Sequence, residues 1–216
     1  MEHDRNEGVR TSTLDFYWAP MSTAEVTDAV LRVLDVPHRR HEVPIGPEGT
    51  GSDWYRAINP HGRVPAIVHD GTLVWESAAI TLYLGETFGV ARHLYPPPGA
   101  RRGKAMAWTV WGAATLAAAG GMLAAALPHD SPGGVQSESQ DAGYAGNEAA
   151  ARAEIERCLQ VLEARLSDRE FVLGDFSVVD VHLSELVDWL GMMGTAFDPK
   201  VAHWLEATRA RLPAPQ

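Results

Sequence analysis

The chain has 216 residues, 45% hydrophobic and 21% charged, with 28 acidic against 18 basic side chains and a formal charge of −10. That apolar fraction excludes a disordered chain, and a single cysteine excludes an internal disulfide framework and a cysteine-based structural zinc site. The acidity is even, −5 in residues 1–95 and −5 in residues 96–216, so the chain lacks the clustered positive charge on which nucleic-acid binding draws.

Residues 1–13 are charged and carry no apolar run. They read as a short disordered lead, not a secretory signal, and the expected location is cytoplasmic. Residues 14–18 (LDFYW) form a strand candidate. Residues 22–34 have helical spacing, with Val26, Ala29, Val30 and Val33 on one side and Ser22 or Thr23 as N-cap. Residues 38–43 read as a second, polar strand, 44–51 as a Pro/Gly-rich loop and 54–58 as a short helical turn. A third strand is expected over 64–69, a hairpin turn at Asp70-Gly71 and a fourth strand over 72–75. A helix over 76–88 follows. The order is βαβ, a short helix, then ββα, expected as a domain over 14–95.

The run Pro96-Pro97-Pro98-Gly99 reads as a stiff linker, placed at 96–102. The second domain, 103–216, reads as helix throughout. Residues 103–127 are apolar. From 105 to 127 no charge occurs, a length that tests for a membrane span, but ten Ala and three Gly make it weakly hydrophobic. A buried helix is the reading adopted, and no membrane partner is expected. Residues 147–166 are amphipathic through Ile155, Leu159, Leu162 and Leu166; Cys158 shares that face and reads as packing. Residues 178–193 start from a capping-box pattern at Ser177 and Asp180. Residues 201–212 form the last helix. Between the first two lies a 128–146 loop of turn formers, a length that marks a functional or disordered segment.

The strongest signal is Asn59-Pro60-His61-Gly62-Arg63-Val64-Pro65, followed by Glu76-Ser77 at a helix start. With Gly174-Asp175-Phe176-Ser177-Val178-Val179-Asp180 in the second half, these stretches resemble the cytosolic glutathione S-transferases over most of the chain. The resemblance implies a thioredoxin-like N-terminal domain with a mixed four-stranded sheet, followed by an all-α helical bundle. A proline inside a central strand lacks a ladder donor; Val64-Pro65 makes sense if the bond is cis and the Val64 backbone turns outward to a ligand. The resemblance implies that this backbone pairs with the cysteinyl part of glutathione. It also implies that Glu76 meets the γ-glutamyl ammonium and Ser77 its carboxylate, at a helix N-terminus that favours anions. Arg63 stands where relatives direct a polar side chain to the tripeptide, and His61 edges the thiol site.

In that family a hydroxyl near the first strand or helix stabilises the thiolate. Here Ala19 precedes Pro20 where many bacterial relatives have serine, leaving Ser22, Thr23 and Tyr17 as candidates. The nine histidines show no metal-binding spacing and no metal is expected. Trp18, Met21, Trp108 and Trp111 are candidates for a roomy apolar second-substrate site. The resemblance implies transfer of glutathione, or another low-molecular-weight thiol, to a small apolar electrophile, by a homodimer. Two alternatives stand beside it. One is an isomerase, cyclase or eliminase of a specialised metabolite without thiol turnover; the other is a non-catalytic binding protein of the same fold.

Overall fold

The computed structural model describes residues 13–128 and 148–214. All of the expected lead but Thr13, and all of the expected 128–146 loop but Pro128, lie outside those residues.

Strand β1 (Leu14–Trp18) buries Leu14 and Phe16, which alternate with Asp15 and Tyr17 on the other face. It pairs in parallel with β2 (Arg39–Glu42) and antiparallel with β3 (Ala66–His69), which in turn pairs antiparallel with β4 (Thr72–Trp75). The sheet is therefore mixed, in the order β2-β1-β3-β4. The parallel pair is joined through α1 (Ala24–Val33), whose buried Val26 and Val30 join Phe16 and Ile67 in the core. Helix α2 (Asp53–Ile58) is capped by Ser52, whose hydroxyl accepts from the Tyr55 amide. Helix α3 (Ser77–Leu84) follows β4 directly and buries Ile80 and Leu84.

Several boundaries differ from the sequence expectation, each for a local reason. Helix α1 starts at Ala24, not Ser22, because the Ser22 hydroxyl is spent in the preceding turn: Oγ donates to the Ala19 carbonyl at 2.7 Å and accepts from the Ala24 amide at 3.2 Å. Strand β3 starts at Ala66, not Val64, which leaves Pro65 outside the ladder it could not have joined. Helix α3 gives way at Gly85 to a π-helical turn, Gly85–Gly89, instead of running evenly to Phe88. The Tyr95 ring lies over that turn, where a Cβ on Gly85 would fall 2.8 Å from Cδ2.

The second half opens earlier than expected. Helix α4 (Ala100–Trp111) begins three residues ahead of Gly103, straight after Gly99, whose φ of 141° suits glycine. It runs through a second π turn, Gly112–Leu116, into α5 (Ala117–Ala126). Together these make a helix from Ala100 to Ala126, long and apolar enough by composition to cross a membrane. Part of it packs within the fold, with 39% of its apolar stretch buried: Leu116, Ala119 and Leu123 are covered, and Gly120 admits the Trp189 ring so closely that a Cβ would sit 2.5 Å from it. Helices α6 (Glu148–Arg165), α7 (Val178–Met192) and α8 (Pro199–Arg209) complete the bundle. Leu159 is only half-buried on α6, and Cys158 takes the inner place, where burial pushes its thiol up.

Asp180 ties the bundle together from the start of α7. Its Oδ2 accepts from the Ser177 amide and from the Ser177 hydroxyl, both at 3.0 Å. Its Oδ1 accepts from the Val172 amide at 2.8 Å and from Trp204 Nε1 at 3.0 Å. Burial raises its pKa and the four hydrogen bonds act against that rise. The two domains meet chiefly where α1 packs on α7. They also meet at Thr81 and His182, whose side chains hydrogen-bond at 3.0 Å in the core. Burial holds the His182 imidazole down at about 4, so it is neutral near pH 7.

Candidate functional site

A cleft of about 210 Å3 opens between the domains at the end of the sheet where β3 begins and β4 ends. Its floor comes from the loop that enters β3. Asn59 is buried and organises that loop: Oδ1 accepts from the His61 amide at 3.1 Å and Nδ2 donates to the Arg63 carbonyl at 2.7 Å. The Tyr55 hydroxyl donates to the same carbonyl at 2.8 Å. Burial pushes that phenol up to about 12, so it stays a donor at any ordinary pH. With the Arg63 carbonyl held inward by two donors, the chain passes through Val64 and the cis Val64–Pro65 bond along the cleft wall.

Trp75, Glu76 and Ser77 form the opposite rim. Glu76 has φ 70° and ψ 121°, a backbone conformation that costs a non-glycine residue about 1–3 kcal/mol. The junction imposes it: Trp75 is still paired to Ala66 in the sheet, and the Glu76 carbonyl already accepts the first helical bond, from the Ile80 amide at 2.9 Å. The abrupt change from strand to helix leaves the first amides of α3 at the cleft, where they favour an anion.

The third wall is helical. Thr23, the N-cap of α1, is exposed on the cleft, and its side chain makes no capping bond. Ala113 of the π turn, Ala117 at the start of α5 and Leu186 of α7 close the side facing it. π turns inside helices are frequent at functional sites. Here Ala113 of the turn and Ala117 just after it set methyl groups against the cleft.

The structure thus brings Thr23, His61, Arg63, Val64, Pro65, Glu76 and Ser77 to one place. It does not bring the other candidates there. Ser22 is occupied as described above. Tyr17 points to the α2 face of the sheet, stacked on His41 at 4.8 Å and tilted against Tyr55 at 5.9 Å. Burial, then the Asp15 carboxylate, pushes its phenol up. The four residues expected at a second-substrate site lie off the cleft lining. Trp18 is covered by the Arg40 guanidinium at 4.1 Å, and Met21 is 72% exposed. Trp108 and Trp111 pack edge to face on each other at 5.1 Å. Trp75, Ala113, Ala117 and Leu186 also line the cleft and are not among the candidates above, and Asn59 is given no role of its own there. Asn59 opens the very motif that was singled out, and the i, i+4 pair Ala113 and Ala117 was visible in the apolar helix. Among the described residues, no three His, Cys, Asp or Glu side chains gather as a metal set.

Comparison with known proteins gives a consistent result. The family model for the N-terminal domain of glutathione S-transferase matches residues 21–87, and the model for its C-terminal domain matches residues 126–211. Glutathione S-transferase theta-1 of Mus musculus is 30% identical over 187 residues, which cover 82% of this chain and 73% of that protein. Protein LigF of Sphingobium sp. is 43% identical over 61 residues, a match that spans only 24% of its length and 28% of this chain. Among solved structures, the theta class glutathione S-transferase of Xanthomonas axonopodis pv. citri, with glutathione bound, has a similar fold at a TM-score of 0.76. It is 24% identical, and the match covers 93% of this chain and 94% of that one.

Proposed function

The chain belongs to the glutathione S-transferase family, and we propose that it binds glutathione in this cleft and transfers its sulfur to a small apolar electrophile in the cytoplasm. The observation that carries the reading is the convergence of Thr23, Val64, Glu76 and Ser77 on one cleft from three separate segments. The Val64 backbone pairs with the cysteinyl peptide of the ligand. Ser77, with the first amides of α3, receives the γ-glutamyl carboxylate, and Glu76 receives its ammonium. Arg63 and His61 face the remaining carboxylate. The thiol then lies toward Thr23.

There the Thr23 hydroxyl donates to sulfur at the positive end of α1, which stabilises the thiolate and lowers the thiol pKa. The proton leaves to water. The sulfur lone pair forms the new S–C bond on an electrophile held against Ala113, Ala117 and Leu186, and the leaving group departs with its bonding pair. Calorimetric titration with glutathione and with S-methylglutathione tests the site. Saturable binding at or below about millimolar supports it, with each of Glu76→Gln and Ser77→Ala weakening it about tenfold or more, the worth of one charged hydrogen bond. A wild-type protein that binds neither ligand overturns it.

The active species in this reading is a homodimer, with the sheet edge at β4 of one subunit against α4 of the other. Exposed apolar residues on both elements support it: Trp75 at 44%, Met106 at 37% and Val110 at 50%. Light scattering on the purified protein should return twice the 23.4 kDa chain mass. Val110→Glu should shift it toward the monomer.

A further inference from the structure

Three cleft walls come from elements that pack on one another: α3 through Ser77, the π turn Gly112–Leu116 through Ala113, and α7 through Leu186. Thr81, Gly112 and His182 lie behind them on the same three elements. Thr81 is four residues after Ser77 and His182 four before Leu186, so each shares a helix face with its cleft residue; Gly112 directly precedes Ala113. Thr81 and His182 are fully buried, and Thr81 Oγ1 lies 3.0 Å from His182 Nδ1. Gly112 lets α7 lie against the turn: a Cβ there would fall 2.6 Å from Leu183 Cδ2, 3.3 Å from Leu186 Cδ1 and 3.4 Å from His182 Cδ2. The imidazole thus has its Cδ2 edge against the turn and its Nδ1 on Thr81 of α3. Its Nε2 has no hydrogen-bond partner among the described residues.

We propose that His182 is a positioning residue for the cleft: through Thr81 it fixes the start of α3, and with it Ser77, against Ala113 and Leu186. Its effect on ligand binding rests on the glutathione reading of the cleft; its hold on α3 does not. An apolar side chain could fill the same space without stranding a buried nitrogen, a cost that needs an explanation. What the imidazole adds is one directed bond, and that bond crosses from one domain to the other. Apolar helix faces accept several registers, whereas a directed bond between buried groups selects one. Register matters at Ser77. A hydrogen bond to the ligand carboxylate weakens steeply with distance and angle, so a small slide of α3 on α7 loses it while the core stays buried. The ring is neutral near pH 7, so the contact puts no charge into the core.

The test measures S-methylglutathione affinity by calorimetry, well below the melting range, with amide exchange alongside. Thr81→Val keeps the shape of the side chain and removes the bond. It should weaken binding about fivefold, part of the roughly tenfold worth of the Ser77 bond, and Thr81→Ser should restore it. His182→Phe should match Thr81→Val, and the two together should lose no more than either alone. Thr109→Val is the control. It removes a buried hydroxyl whose bond, to the Ala105 carbonyl at 2.9 Å, stays inside α4, so it should leave affinity unchanged. In wild type the α3 amides from Thr81 to Leu84 should exchange as slowly as those of α7 around His182. Wild-type affinity in folded Thr81→Val overturns the proposal, and so does an equal loss in Thr109→Val, the mark of general loosening. Losses that add in the double variant overturn the route through Thr81. If Thr81→Val does not fold, wild-type exchange decides: α3 amides that open about tenfold or more faster than those of α7 overturn the hold on α3. If wild type binds no S-methylglutathione, the glutathione reading fails and the link to binding falls with it, while the exchange comparison still decides whether α3 is held.

Discussion

Replacing Asp180 with alanine should cost about 3–5 kcal/mol of stability, the largest loss expected from any single side chain described here. Asp180 is completely buried and accepts four hydrogen bonds from three segments: Val172 in the loop before α7, Ser177 at its cap, and Trp204 on α8. Truncation strands the Val172 amide and the Trp204 indole N–H in a medium that offers no water, at about 1–3 kcal/mol for each unsatisfied donor. It also removes the acceptor that fixes the first turn of α7. Denaturant titration followed by tryptophan fluorescence reads the loss directly. An Asp180→Ala protein as stable as wild type would mean that the carboxylate is replaced by water and is not a true junction.

The second large effect is on rate. Thr23→Val keeps the shape of the α1 cap and removes the hydroxyl that faces the cleft. It should lower kcat/KM for thiol conjugation about 100-fold, the scale of losing one aligned donor to a developing charge. The KM for glutathione should hardly move, because in the proposed arrangement the hydroxyl acts on sulfur and not on the ends of the tripeptide. The pH–rate profile should shift to the alkaline side as the bound thiol loses stabilisation. Thr23→Ser should restore most of the rate. Ser22→Ala is the contrast. Its hydroxyl is bound within the turn to the Ala19 carbonyl, so its loss should be felt in stability more than in the pH profile. If Ser22→Ala and not Thr23→Val shifts that profile, the assignment is reversed.

The architecture was legible because its signals are short-range. Leu14–Trp18 and Thr72–Trp75 come out as expected because alternation and a hairpin turn specify them with no help from elsewhere. The mixed sheet followed by helices was carried by the run from Asn59 to Pro65 and by Glu76-Ser77. The choice among three hydroxyls was not legible. Ser22 and Thr23 have the same chemistry one residue apart, and only the turn at Ala19–Ala24 decides which one faces the cleft and which is consumed in the backbone. The aromatic candidates stand off the cleft lining for a different reason. Trp108 and Trp111 are large enough to satisfy each other, and a residue at a cleft wall must leave room, which favours Ala113 and Ala117. Composition shows how much apolar surface exists, not which part of it stays uncovered.

The π turn at Gly112–Leu116 bears on how the second half can change over time. A helix with one residue more than its regular winding calls for is out of phase with itself on the two sides of the extra residue, by about 100°. What the upstream turns present to their surroundings is thereby decoupled from what the downstream turns present to the cleft. Residues around Trp108 are free to drift with the neighbours they cover, and residues around Ala117 with the cleft they line, neither forcing a register on the other.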